Sequence, residues 1–146
     1  ARKQKRENDI DLIVIDYLQL MTTADSRKEL NLNQKITYLS GQMKALAMDL
    51  KVPIVLLSQL SRAVETRGGD MKPILSDLRD SGSIEQDANM VWFVYRPSYY
   101  GIETTKDGTD TNNYIEVIVS KNRRGKLGTI PMNCYLDKSL IEDYEG

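Results

Sequence analysis

The sequence contains no histidine and a single cysteine, Cys134, among its 146 residues. These absences exclude an internal disulfide framework, the ordinary zinc sites and every catalytic triad built on imidazole. Any metal it binds is therefore a hard, oxygen-liganded ion such as Mg²⁺. Long apolar runs are also missing, since no stretch approaches the roughly 20 residues that a membrane span needs. The basic start Arg2-Lys3-Gln4-Lys5-Arg6 leads into Glu7, Asn8 and Asp9 rather than into a signal-peptide core. A cytoplasmic chain with no membrane association is the expectation. Net charge is close to absent, at -1 from 20 basic and 21 acidic residues, which argues against coating of nucleic acid by bulk electrostatics but leaves room for a local basic patch. A phosphate-binding loop is missing too. The nearest approach, Gly125-Lys126, has Ser120 where the first glycine belongs and Leu127 where a hydroxyl should follow.

What is present reads as one α/β domain with room for a real core, at 40% hydrophobic and 28% charged residues. The run Ile10-Asp11-Leu12-Ile13-Val14-Ile15-Asp16-Tyr17 predicts a strand buried on both faces of a parallel sheet, with Asp16 at its carboxyl end, where such sheets place ligands. Tyr17 to Glu29 is polar and predicts a loop. A helix then starts at Asn31 or Asn33 as its cap, with Ile36, Leu39, Met43, Leu46 and Leu50 along one face, and Lys51-Val52-Pro53 stops it. Ile54 to Leu57 predicts a second buried strand leading to Ser58-Gln59, so strand, helix and strand make a parallel crossover unit.

Further on, Arg62 to Lys72 predicts a loop around Gly68-Gly69, and Ser76 to Arg79 a short helix. Asn89 to Tyr95 is apolar enough for a third strand, in which Trp92, Phe93 and Tyr95 are expected in the core rather than as a base-stacking platform. Pro97 to Asn112 predicts a long loop, where Tyr99-Tyr100 suits either a nucleotide base or a subunit contact. Tyr114 to Ser120 and Lys126 to Met132 predict an antiparallel hairpin around Arg123-Arg124-Gly125, with Ile115, Val117 and Val119 facing one way. The acidic end, Glu142 to Glu145, reads as a surface tail.

From residues alone, each candidate site supports two readings. Asp16 is either a solvated strand-end aspartate or part of an ATPase whose first portion lies outside the chain. Gln59 is either a strand-capping amide or a group placed to reach a ligand. Lys121 and Arg123, two apart, project to one side while strand geometry persists and converge on an anion; as a basic hairpin tip with Arg124 and Lys126 they simply face water. Ser76 to Gln86 suits a helix-turn segment capped by Ser83, with Glu85 and Gln86 in the first turn.

Four pieces stand in a fixed order: VIDYLQLM from Val14 to Met21, VPIVLLSQLSR from Val52 to Arg62, SDLRDSGSIEQDA from Ser76 to Ala88, and VIVSKNRRGKLGT from Val117 to Thr129. Together they resemble the C-terminal, RecA-like motor domain of bacterial replicative DNA helicases of the DnaB family, from its Walker B strand nearly to its end. The resemblance implies a partial RecA-like P-loop NTPase core, a parallel sheet flanked by helices with a C-terminal antiparallel hairpin. It implies ATP and Mg²⁺ as cofactors, with Asp16 holding the metal, Gln59 sensing the γ-phosphate, and Lys121 with Arg123 acting as an arginine finger on a neighbouring subunit's nucleotide. Arg79, Asp80 and Gly82 match a central-channel loop that contacts single-stranded DNA; Asp80 departs from the longer acid common there. Expected partners are single-stranded DNA, five further copies in a homo-hexamer, primase and a helicase loader. The phosphate loop, the catalytic glutamate and an N-terminal domain belong upstream of Ala1. A RecA-like recombinase or clock-type ATPase, or a non-enzymatic DNA-binding or oligomerisation module, is the alternative. The Ser81-Gly82-Ser83-Ile84-Glu85-Gln86-Asp87 string and the Lys-x-Arg pair favour the helicase.

Overall fold

A computed structural model describes residues 1–22, 30–69 and 71–144, so positions 23–29 of the expected Tyr17–Glu29 loop lie outside the described residues. In chain order the elements are α1 (Arg2–Asn8), β1 (Ile13–Ile15), α2 (Leu32–Leu50), β2 (Ile54–Leu56), α3 (Ala63–Thr66), α4 (Gly82–Asp87), β3 (Met90–Tyr95), β4 (Tyr114–Asn122), β5 (Gly128–Tyr135) and β6 (Leu140–Asp143). They gather into two compact units. One comprises Ala1–Ser61 with Leu78–Ala88, the other Arg62–Asp77 with Asn89–Gly146.

In the first unit β1 and β2 pair in parallel, with Ile13 opposite Ile54 and Ile15 opposite Leu56. The pairing runs on past the strands, as Leu57 N–H donates to Ile15 O at 3.0 Å and Leu18 N–H to Leu57 O at 2.9 Å. The crossover helix α2 is fixed at its start by Asn31, whose side chain accepts from Gln34 N–H at 2.9 Å while Gln34 Oε1 accepts from Asn31 N–H at 3.1 Å. Two otherwise orphaned donors are thereby satisfied, which selects Asn31 over Asn33 as the cap. At the other end Lys51 turns into the left-handed region at φ 53 before Pro53. Ile36 and Leu39 of α2 are buried against Leu18 and Ile84, with Met21, Tyr38 and Leu56 packed around them. Ser40 Oγ, also buried, donates to Asp87 Oδ2 at 2.7 Å and pins α4 to α2.

Two expectations need correction here. Leu18, read as part of a polar loop, is fully buried and sits in a short 3₁₀ turn, Leu18–Leu20. The strands are half-buried on one face and open on the other: Leu12, Val14, Val55 and Leu57 stay exposed, Val14 by 59%. An apolar run of this kind needs cover on both faces, and α2 supplies it on one.

In the second unit β3, β4, β5 and β6 form a four-stranded antiparallel sheet in that order. The hairpin is present but longer than expected, β4 reaching Asn122 and β5 reaching Tyr135. It gains β3 on one side and β6 on the other, so Glu142 and Asp143 belong to an edge strand rather than a tail. Strand β3 alternates, with Val91, Phe93 and Tyr95 buried and Met90, Trp92 and Val94 exposed. Trp92 therefore departs from the core expected for it. The short helix expected near Ser76 is part of a 3₁₀ turn, Leu75–Ser81, that leads straight into α4, and α3 interrupts the loop expected from Arg62 to Lys72.

Candidate functional site

Asp16 and Gln59 stand just beyond the carboxyl ends of β1 and β2, two hydrogen-bonded parallel neighbours. A residue that had not been singled out, Gln19, ties the two tips together. Its Nε2 donates to Ser58 Oγ at 3.1 Å and to Gln59 O at 3.3 Å, while its Oε1 accepts from Gln59 N–H at 3.3 Å. One amide thus fixes the backbone on which Gln59 is carried, and the buried Leu18 beside it anchors the turn. Both the Asp16 and Gln59 side chains are exposed. Among the described residues no hydrogen bond or ion pair engages either, so the carboxylate and the amide remain available to a ligand. Arg62, at the end of the same sequence string, is exposed in the second unit.

Lys121 and Arg123 belong to that second unit. Lys121 lies in β4 opposite Val91, next to a bulge between Val91 and Trp92. The strand ends at Asn122, so Arg123 opens the turn, yet its N–H still donates to Asn89 O at 3.0 Å. The turn is braced by Asn122, whose Oδ1 accepts from Arg124 N–H at 3.2 Å and whose Nδ2 donates to Lys126 O at 3.5 Å. A Cβ at Gly125 would stand 2.4 Å from Asn122 Nδ2, so a larger residue there would displace the Asn122 side chain. Strand alternation thus carries Lys121, while hydrogen bonding of the turn carries Arg123.

Arg79 and Asp80 lie in the 3₁₀ turn Leu75–Ser81, and Gly82 opens α4. The string that follows is accounted for by packing: Ile84 enters the first unit's core and Asp87 accepts from Ser40. Ser83 does not act as the expected cap, its Oγ being buried without a hydrogen-bond partner among the described residues. Tyr99 and Tyr100 meet edge to face at a centroid distance of 5.0 Å, Tyr100 stacks on buried Tyr95 at 5.8 Å, and the Arg96 guanidinium lies over Tyr99 at 5.5 Å.

Beneath this sheet Glu116, opposite Tyr95, is paired with Lys72 at 2.6 Å and accepts from Tyr114 Oη at 3.4 Å. Burial, and next the Glu116 carboxylate, push the Tyr114 phenol up to about 12 from its ordinary 10.0. The fold thus favours the neutral phenol. Its contribution is fully present below the ordinary tyrosine range and is lost as pH rises through 12. Tyr114→Phe should therefore lose stability less steeply over that alkaline window, as read by denaturant unfolding at stepped pH; an unchanged slope would contradict the placement.

No helix among the described residues is long and apolar enough to cross a membrane. A family model for the DnaB-like helicase C terminal domain matches residues 1–142. Among curated relatives, the replicative DNA helicase DnaB of Geobacillus stearothermophilus is 47% identical over 132 residues, 90% of this chain and 28% of that protein. A probable plasmid replicative DNA helicase of Chlamydia psittaci is 47% identical over 144 residues, 97% of this chain and 30% of that protein. Among solved structures, a DnaB-like replicative helicase studied with its primase interactions matches with a TM-score of 0.85 and 37% identity, over 99% of this chain and 33% of that one. An ATPase domain matches with the same score and identity over 49% of its length. The chain spans less than a third of the length of these curated relatives, and the expected RecA-like α/β class stands. It belongs to the DnaB-like helicase C-terminal domain family.

Proposed function

We propose that the chain is the C-terminal part of the ATPase motor of a hexameric replicative DNA helicase, whose phosphate loop and N-terminal domain lie upstream. The observation that carries this reading is the pair of strand tips, Asp16 and Gln59, joined through Gln19 and left open to a ligand. A carboxylate at a rigid strand end suits an ion that prefers oxygen ligands and keeps several waters. Asp16 is a single donor, however, and among the described residues no group of three or more acidic or cysteine side chains gathers to hold a metal unaided. The donor set therefore fits Mg²⁺ held jointly with nucleotide phosphates and residues outside this chain. When bound, that ion neutralises charge on the β- and γ-phosphates.

Within this reading Asp16 would hold and orient the Mg²⁺ ion, and the Gln59 amide would hydrogen-bond the γ-phosphate or the attacking water. Lys121 and Arg123 place positive charge on the γ-phosphate of a neighbouring subunit, so ATP lies between copies. Arg79 offers a forked donor to a DNA phosphate and Gly82 lets its backbone approach, while Asp80 orients this segment. The whole protein acts in the bacterial cytoplasm at the replication fork, with single-stranded DNA in its channel and with primase and a loader as partners. The test is strand separation by the full-length protein on a forked duplex. Mg²⁺- and ATP-dependent unwinding, with hydrolysis stimulated by single-stranded DNA, is the expected result; hydrolysis without any unwinding would return the recombinase or clock-type reading.

A further inference from the structure

Two half-buried ion pairs in the second unit, each with a buried carboxylate and a partly exposed cation, have no part in the proposed chemistry. Asp77, whose side chain is 3% exposed, pairs with Arg67 through one carboxylate oxygen and accepts from Ile74 N–H at 2.8 Å through the other. Arg67 also donates to Lys72 O at 3.1 Å. Lys72 in turn pairs with Glu116, 6% exposed, and its Nζ lies 5.6 Å from the Tyr95 ring centroid. The four charged residues form a continuous chain from Asp77 through Arg67 and Lys72 to the middle of the sheet.

Desolvating two carboxylates is costly, and apolar residues of similar volume commonly stabilise a core as well. Such pairs are better at fixing one geometry, because leaving the buried carboxylate without its cation is strongly unfavourable. The geometry fixed here is that of one chain excursion. Residues 62–77 leave the first unit three positions after Gln59 and return two positions before Arg79. Glu116 lies on β4, the strand that also carries Lys121 and leads into Arg123. The ion pairs thus bind the connection between the Gln59 and Arg79 segments to the strand of the proposed finger.

We propose that Arg67, Asp77, Lys72 and Glu116 are positioning residues that couple nucleotide turnover to single-stranded DNA, by making the 62–77 segment move as one body with β4. This rests on the helicase reading above. A loose segment would let the γ-phosphate contacts and the DNA contacts change independently, whereas a strutted one transmits displacement between them.

The test uses the full-length helicase and measures the ratio of DNA-stimulated to basal ATP turnover. Glu116→Gln keeps the shape and removes the charge, and Arg67→Gln acts at the partly exposed end of the other pair. Each should lower stimulation by at least about fivefold while basal turnover stays within about twofold, the range typical of coupling variants. The exchanged pair Lys72→Glu with Glu116→Lys should restore about half of the lost stimulation. Undiminished stimulation in both single variants overturns the proposal, as does a joint fall of basal turnover, stimulation and melting temperature, which marks a purely structural pair. If Glu116→Gln fails to assemble, Arg67→Gln decides alone. An unmodified protein without DNA-stimulated hydrolysis sinks the helicase reading itself, whereas stimulation that survives in the variants sinks only the strut.

Discussion

Arg123→Ala in the full-length protein should lower ATP turnover by about 10³- to 10⁵-fold, the range over which a guanidinium supplied across an interface accelerates phosphoryl transfer. Affinity for ATP should stay within about threefold, because a group that acts on charge developing in the transition state contributes little to ground-state binding. The placement of Arg123 makes the substitution informative. Its backbone is held by the Asn89 carbonyl and by the turn that Asn122 braces. Truncation therefore removes the exposed side chain and leaves the backbone bonds intact. A mixing experiment adds a readout that a folding defect cannot imitate. Subunits carrying Asp16→Asn and subunits carrying Arg123→Ala should each be inactive alone, yet recover part of the turnover when combined. At some interfaces the proposed metal ligand Asp16 then comes from one variant and the proposed finger from the other. Unchanged hydrolysis by Arg123→Ala removes the finger assignment, and the absence of recovery on mixing removes its action in trans.

The placement of Asp16 and Gln59 at neighbouring strand ends was legible because each follows a short apolar run, and parallel strands of one sheet present their carboxyl ends together. The helix between them was legible for a different reason. Its apolar residues recur three and four apart, and a local Asn31–Gln34 exchange marks its start. Gln19 carried no such signal. It is one polar residue within Leu18-Gln19-Leu20, and its partners lie 39 and 40 positions away in sequence. The ion pairs Arg67–Asp77 and Lys72–Glu116 were hidden for the same reason, the second spanning 44 positions. Charged residues in a glycine-containing loop look solvated until the surface they cover is known.

Strand β3 was found and its orientation was not. Val91-Trp92-Phe93-Val94-Tyr95 has no polar residue to mark a wet side, so pattern reading assigns the whole run to the core. The alternation appears only once Phe93 and Tyr95 are seen buried opposite Ile118 and Glu116. Strand β6 was missed because Leu140-Ile141-Glu142-Asp143 is short and half acidic. Its strand character comes from pairing with β5 rather than from propensity. The sequence similarly marked Leu12, Val14, Val55 and Leu57 as interior residues, and this remains informative although they are exposed. Such residues are suited to a sheet face that something else covers.

That exposed surface sets the second large effect: residues 1–146 alone should show no measurable Mg²⁺-dependent ATP hydrolysis and should self-associate as their concentration rises. In the proposed reading Asp16 and Gln59 supply two groups of a site that needs phosphate-binding residues they do not bring. An arginine finger accelerates nothing without a bound nucleotide to act on. The physical argument for association is separate. Among the described residues β2 pairs only with β1 and β3 only with β4, so each is an edge strand of its sheet. Beside the β2 edge lie exposed Val55 and Leu57, and beside the β3 edge lie exposed Met90, Trp92 and Val94. Unpaired edges flanked by apolar side chains recruit other strands, and apolar area hidden in this way contributes about 25 cal/mol per Å². Trp92 is the only tryptophan in the chain and is 57% exposed, so it reports the process directly. Its emission should be that of a wet indole at low concentration, then shift to the blue and resist quenching by iodide as sedimentation detects larger species. Trp92→Lys, placing a charge on the same face, should hold the chain monomeric to higher concentration without loss of fold. Robust turnover by the 146 residues alone would overturn the half-site account, and a dilution-independent Trp92 spectrum with monomeric sedimentation would show that these faces do not need a covering partner.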